Sequence, residues 1–159
     1  MGAQAAAGGP NHESRSSQTG RTVTVFGATG FLGRYVTYYL ATHGNRVIVP
    51  FRGDDQEVRH LQIMGDYGMV GLSPYDPRSD DDLKRYCEGS EVVINMVSRE
   101  YETSHILPWD VNYSFEDVNA EFPARVANAC LETGVGNLIH VSALASDPTS
   151  LSRWASTKA

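Results

Sequence analysis

Residues 25–35 read VFGATGFLGRY. Gly27, Gly30 and Gly33 stand at GxxGxxG spacing, between the β-branched run TVTVFG (22–27) and an amphipathic stretch, Phe31–His43, that stops at Gly44. Glycines that leave a predicted strand and open a predicted helix form a cradle for a dinucleotide. Gly27 allows the tight turn out of the strand. Gly30 lets the backbone approach a pyrophosphate, and Gly33 lets the helix pack close to the sheet. The diphosphate then rests on the free N–H groups at the helix start, where the helix dipole is positive. The loop contributes Gly27, Thr29, Gly30, Phe31, Leu32, Gly33 and Arg34 as candidate cofactor-binding residues.

Outward from this loop, short apolar runs alternate with amphipathic stretches. RVIVPF (46–51) reads as a second strand, with Pro50 near its end, where a missing N–H does least harm. Residues 56–64 read as a short helix and GMVGL (68–72) as a third strand. A helix follows over 79–87, with Asp80, Asp81 and Asp82 crowding its first turn, where they favour the dipole. EVVINMV (91–97) is continuously apolar, as a strand buried on both faces should be. The longest helix is expected over 115–133, closed by Gly134, then a fifth strand, NLIHVS (137–142), and a helix beginning near residue 150. Five such alternations predict an α/β Rossmann-like fold, a doubly wound parallel sheet with strand order 3-2-1-4-5.

The second strand bears on which dinucleotide is held. An NAD site places Asp or Glu roughly 20 residues past the glycines, to hold the ribose 2′-hydroxyl. Here the strand ends VPFRGDD, and Arg52 stands about where that acid would be. With Arg34 it forms a guanidinium pair suited to a 2′-phosphate, which favours NADPH. The plainer reading pairs Arg52 with Asp54 or Asp55 at the surface. Asp76, after the third strand, is either at the adenine edge or a turn residue before Pro77. Met96 and Val97, where the fourth strand leaves the sheet, complete that side of the site.

The 159 residues, 41% of them hydrophobic, suffice for one domain with a sizeable core. A formal net charge of -6 argues against a nucleic-acid partner. Cys87 and Cys130 stand in no CxxC pair and read as reduced, buried thiols. The five histidines show neither HxxxH nor HExxH spacing, so no metal site is expected. No apolar run approaches the roughly 18 residues of a membrane span. Residues 1–20 are small and polar and read as a flexible N-terminal tail, with the nucleotide-binding domain running over 21–159. Arg15 and Arg21 against the single acid Glu13 fit either a remnant of a mitochondrial targeting segment or a plain surface tail.

These residues resemble the extended and atypical short-chain dehydrogenase/reductase superfamily. Six segments narrow the resemblance: TVFGATGFLGRYV (24–36), VIVPFRG (47–53), HLQIMGDYG (60–68), EVVINMVSREYET (91–103), SFEDVN (114–119) and LIHVSALAS (138–146). In that order they are similar to the 39-kilodalton-type accessory-subunit family of mitochondrial respiratory complex I. The resemblance implies a bound NADPH, no catalysis, other complex I subunits as partners, and a place on the matrix side of the mitochondrial inner membrane. It also implies that the fold continues, so the chain is expected to be the N-terminal portion of a longer protein, with its fifth strand an apolar edge. The segment Ser104–Tyr113 is longer than the family's usual linker.

The superfamily's chemistry uses a tyrosine, a lysine four residues on, and a serine after the fifth strand. In SRWASTKA (152–159) Lys158 matches the lysine, but the tyrosine position is Trp154. An indole N–H donates a hydrogen bond and cannot cycle a proton near neutral pH. Ser142 or Ala143 falls at the serine position. Asn119 either matches the superfamily's structural asparagine or is an ordinary helix residue, and His140 reads as packed in its strand. The expected function is a non-catalytic, NADPH-binding accessory subunit. The alternatives are an active reductase using another acid, or an NADPH-sensing scaffold.

Overall fold

A computed structural model describes residues 20–101 and 113–159. The predicted tail, up to residue 19, and the insertion, over 104–112, lie outside the described residues. The strands are β1 (Thr22–Phe26), β2 (Arg46–Phe51), β3 (Val70–Pro74), β4 (Val92–Asn95) and β5 (Asn137–His140). The α-helices are α1 (Phe31–Thr42), α2 (Asp55–Gln62), α3 (Asp80–Cys87), α4 (Phe122–Thr133) and α5 (Arg153–Thr157). The strands form one sheet in the order β3-β2-β1-β4-β5, and every pairing is parallel, as the alternation predicts.

The core is split by the sheet. Along β1, Val23 and Val25 face one way, packing with Val47, Val49, Val58 and Leu61 under α1 and α2. Phe26 faces the other way, with Leu83, Val93, Phe122 and Val126 under α3 and α4. This is the two-sided burial that a continuously apolar strand requires. Thr24 is a polar exception, fully buried; its hydroxyl donates to the Tyr86 carbonyl at 2.8 Å and lies 2.7 Å from Ser90 Oγ, so it is not stranded. Cys87 and Cys130 are both buried, and their sulfurs lie 3.7 Å apart across the α3–α4 contact, a proximity their sequence separation hides. Burial pushes the Cys87 thiol up to about 12, so it stays protonated.

Three elements depart from expectation. The third strand begins at Val70 rather than Gly68, because Gly68 takes a left-handed φ of +83° and belongs to the preceding turn. It runs on to Pro74, tolerated because β3 is an edge strand. The long helix starts as predicted at Phe115 but widens into a π-turn over Asp117–Glu121 before α4. Pro123 supplies the reason. It has no N–H to donate, and its ring would crowd the carbonyl four residues back, so the turn opens and Phe122 N–H bonds Asp117 O instead. The fifth strand stops at His140, two residues short of the prediction. Leu138 and Ile139 on it are 38% and 49% exposed, the apolar edge foreseen from the sequence.

Candidate functional site

A cleft of about 900 Å³ lies across the carboxyl ends of the strands. The connections of a doubly wound sheet diverge there, on either side of β1, which opens a crevice at the switch point. Gly27, Gly30 and Gly33 form its floor, with Thr29, Phe31 and Leu32 beside them. Two of the glycines are demanded by the fold. Gly27 has φ +82°, and a Cβ there would sit 2.8 Å from the backbone of Met96 and of Val97, where β4 ends. A Cβ on Gly33 would sit 2.3 Å from Gly27 O and 2.6 Å from Ala28 Cα. Gly30 differs. Its φ of -69° suits any residue, and a Cβ would meet nothing nearer than 3.4 Å. No crowding among the described residues demands glycine at Gly30, whose bare backbone lines the cleft.

The helix starts make the same point. Asp54 caps α2 and Ser79 caps α3 with side-chain acceptors, and both helices carry acids in the first turn. Helix α1 has neither a side-chain cap nor a first-turn acid. Its leading N–H groups and its positive end therefore have no side-chain acceptor of their own and suit an anion.

At the end of the cleft beside β2 and β3 stands Arg52. The two acids that might have held it at the surface are occupied: Asp55 pairs with Arg59 at 3.1 Å, and Asp54 accepts from Gln56 N–H. Arg52 stacks on the Tyr113 ring instead, 4.9 Å from its centre. Two candidates are not brought into the cleft wall. Arg34 turns back, its Nε donating to the Thr29 carbonyl at 3.1 Å. The Asp76 carboxylate accepts from Arg78 N–H at 2.9 Å, which closes the turn before α3.

At the other end, Met96, Val97, Ser142, Trp154 and Lys158 line the wall. Asn95 orders the exit of β4 by accepting from Val97 N–H at 3.1 Å. Asn119, buried in the π-turn, ties three segments together. Its Oδ1 accepts from Arg99 N–H, and its Nδ2 donates to Arg99 O and to Thr157 Oγ1. The wide turn, the loop after β4 and α5 are thereby held in one arrangement. Ser142 donates its hydroxyl hydrogen to the Lys158 carbonyl at 2.6 Å, which removes it as a donor to anything in the cleft. Lys158 is only 6% exposed, and no carboxylate pairs with it among the described residues. Burial holds its pKa below the ordinary lysine value, and Glu100 partly offsets this. The Trp154 indole N–H is buried without a hydrogen-bond partner among the described residues. An orphaned donor in a cleft wall calls for an acceptor from the cleft. His140 is on the exposed edge strand, its ring nitrogen 3.3 Å from Asn95 Nδ2, and does not line the cleft.

Residues 23–150 match the model of the NAD dependent epimerase/dehydratase family. The chain belongs to that family. Among curated proteins it is similar to NADH dehydrogenase [ubiquinone] 1 alpha subcomplex subunit 9, mitochondrial, of Mus musculus, 43% identical over 91% of this chain and 37% of the relative. It is also similar to the NADH-ubiquinone oxidoreductase 40 kDa subunit, mitochondrial, of Neurospora crassa, 42% identical over 94% of this chain and 38% of the relative. The chain thus spans a little over a third of the length of the curated relatives it matches. Its fold matches that of serine dehydrogenase from Escherichia coli, with a TM-score of 0.65 at 18% identity over 86% of this chain and 69% of that one. Families of this kind bind nicotinamide dinucleotides, and the glycine cradle, the uncapped start of α1 and the orphaned indole donor fit such a group.

Sequence reasoning missed Arg78, Arg99 and Tyr113, all in the cleft wall. The signal for Arg78 was its place in the turn after β3, at the carboxyl edge where such folds bind ligands. Arg99 and Tyr113 flank a long connection, and no local pattern announces where its ends meet.

Proposed function

We propose that this chain is the nucleotide-binding portion of an accessory subunit of mitochondrial complex I, and that it holds NADPH for structure rather than turnover. The named relatives support the assembly and the mitochondrial setting, and we place the chain on the matrix side of the inner membrane. No helix among the described residues is long and apolar enough to cross a membrane, so membrane association would come through neighbouring subunits. The observation that carries the reading is a complete dinucleotide cradle in front of an indole. In this arrangement Gly27, Gly30 and Gly33 receive the diphosphate, Arg52 the 2′-phosphate, and Lys158 the nicotinamide ribose.

Bound NADPH is a hydride donor, and a carbonyl substrate reduced by it must also take up a proton. Trp154 stands where that proton would come from and has none to give near neutral pH. Ser142 has already committed its hydrogen to Lys158 O. General acid–base help contributes roughly a hundred- to ten-thousandfold in rate, and without it the nucleotide stays reduced. A ligand bound only by the folded state still stabilises it, by about 4 kcal/mol at a thousandfold excess over its dissociation constant.

Two outcomes are expected. A nicotinamide-absorbance assay of the full-length protein, run against aldehydes, ketones and acyl substrates, shows no steady oxidation of NADPH, and Trp154→Tyr alone does not start it. Oxidation that vanishes when the glycine loop is mutated would make the protein a reductase. Native electrophoresis of mitochondrial membranes finds the protein in a megadalton assembly. A free dimer would remove it from the complex.

A further inference from the structure

Arg52 and Arg78 come from different turns, after β2 and after β3, yet both guanidiniums lie over the same aromatic ring. Their carbons are 4.9 Å and 4.7 Å from the centre of Tyr113. Neither is engaged by a carboxylate among the described residues, since Asp54, Asp55 and Asp80 serve Gln56, Arg59 and Arg125. Two like charges held around one ring repel each other. Cation–π attraction offsets this only in part, at roughly 0.5–2 kcal/mol per contact. The ring itself is anchored, because Arg99 Nη1 donates to the Tyr113 carbonyl at 3.0 Å. Arg78 is anchored too, its N–H held by Asp76.

From this juxtaposition we infer that Arg78 is a second determinant of specificity for a phosphorylated ribose, acting together with Arg52, and that the Tyr113 ring sets the spacing between the two guanidiniums. A phosphate dianion accepts from two guanidiniums in fork geometry, and its charge removes their mutual repulsion. Asp76 here takes the turn role that was one of its two readings: it positions Arg78 through the turn and does not itself meet the ligand. The inference rests on the NADPH reading of the cleft and assigns residues within it.

The test is equilibrium binding of NADPH and of NADH to the full-length protein and to Arg78→Ala, Tyr113→Phe and Tyr113→Ala, with thermal melting to confirm folding. Arg78→Ala is expected to weaken NADPH by about tenfold to a hundredfold, in line with loss of one charge-assisted contact, and to change NADH by less than about threefold. Tyr113→Phe keeps the ring and the preference for NADPH, whereas Tyr113→Ala erodes that preference. Unchanged NADPH binding by folded Arg78→Ala, or equal losses for both nucleotides, overturns the role of Arg78. If Arg52→Ala weakens NADPH selectively while folded Arg78→Ala does not, the cleft reading stands and only this inference fails. If the unaltered protein binds neither nucleotide, both fail.

Discussion

Gly33→Ala is expected to abolish nucleotide retention and to destabilise the protein together with it. A methyl group at Gly33 would stand 2.3 Å from Gly27 O and 2.6 Å from Ala28 Cα. Those atoms are backbone, so no rotamer change relieves the contact. Helix α1 must instead lift from the loop. Overpacking of this kind costs about 1–3 kcal/mol. Lifting α1 also moves its first N–H groups away from the diphosphate position. Loss of two charge-assisted hydrogen bonds, at roughly 1.5 kcal/mol or more each, lowers affinity by at least about a hundredfold. Denaturant melts with and without added NADPH measure both effects. The variant should lose the ligand-dependent shift as well as part of its basal stability. Gly30→Ala serves as the contrast, because it meets nothing in the chain closer than 3.4 Å. It should leave basal stability nearly unchanged and weaken the nucleotide alone. A Gly33→Ala protein that melts and binds as the unaltered one does would mean that α1 does not rest on the loop as described.

Arg52→Ala is expected to reduce NADPH affinity by about tenfold to a hundredfold, the effect of losing a charge-assisted hydrogen bond, while NADH binding changes little. Asp55 is engaged by Arg59 and Asp54 by the start of α2, so among the described residues Arg52 has no carboxylate partner for the substitution to disturb. Basal stability should therefore stay close to that of the unaltered protein, the loss being one cation–π contact with Tyr113. Parallel titrations with the two nucleotides separate the outcomes. Equal weakening of both would mean that Arg52 shapes the cleft without reading a phosphate.

The fold was legible because its signals are local and repeat. Each strand carries its own apolar run, and GxxGxxG sits at a strand-to-helix turn where two of its glycines are sterically demanded. The place of Arg52 in the cleft wall was legible from its distance to that loop. The misreadings arise where a tertiary partner decides. Gly68 counted as strand until its positive φ placed it in the turn. Pro123 was visible, but its consequence, a π-turn that carries Asn119 to Arg99 and Thr157, depends on what packs around it. Asp76 was left between the adenine edge and a turn, and its bond from the N–H of Arg78 fits the turn. Arg78, Tyr113 and the Cys87–Cys130 proximity come from segments far apart in the chain, which only the sheet order brings together.

Chromatography of the nucleotide released on denaturing the purified full-length protein shows which dinucleotide the cleft holds. NADPH is expected, in near-equal proportion to the protein and still in reduced form. Release of NADH alone, or of no nucleotide from a folded protein, would contradict the NADPH reading.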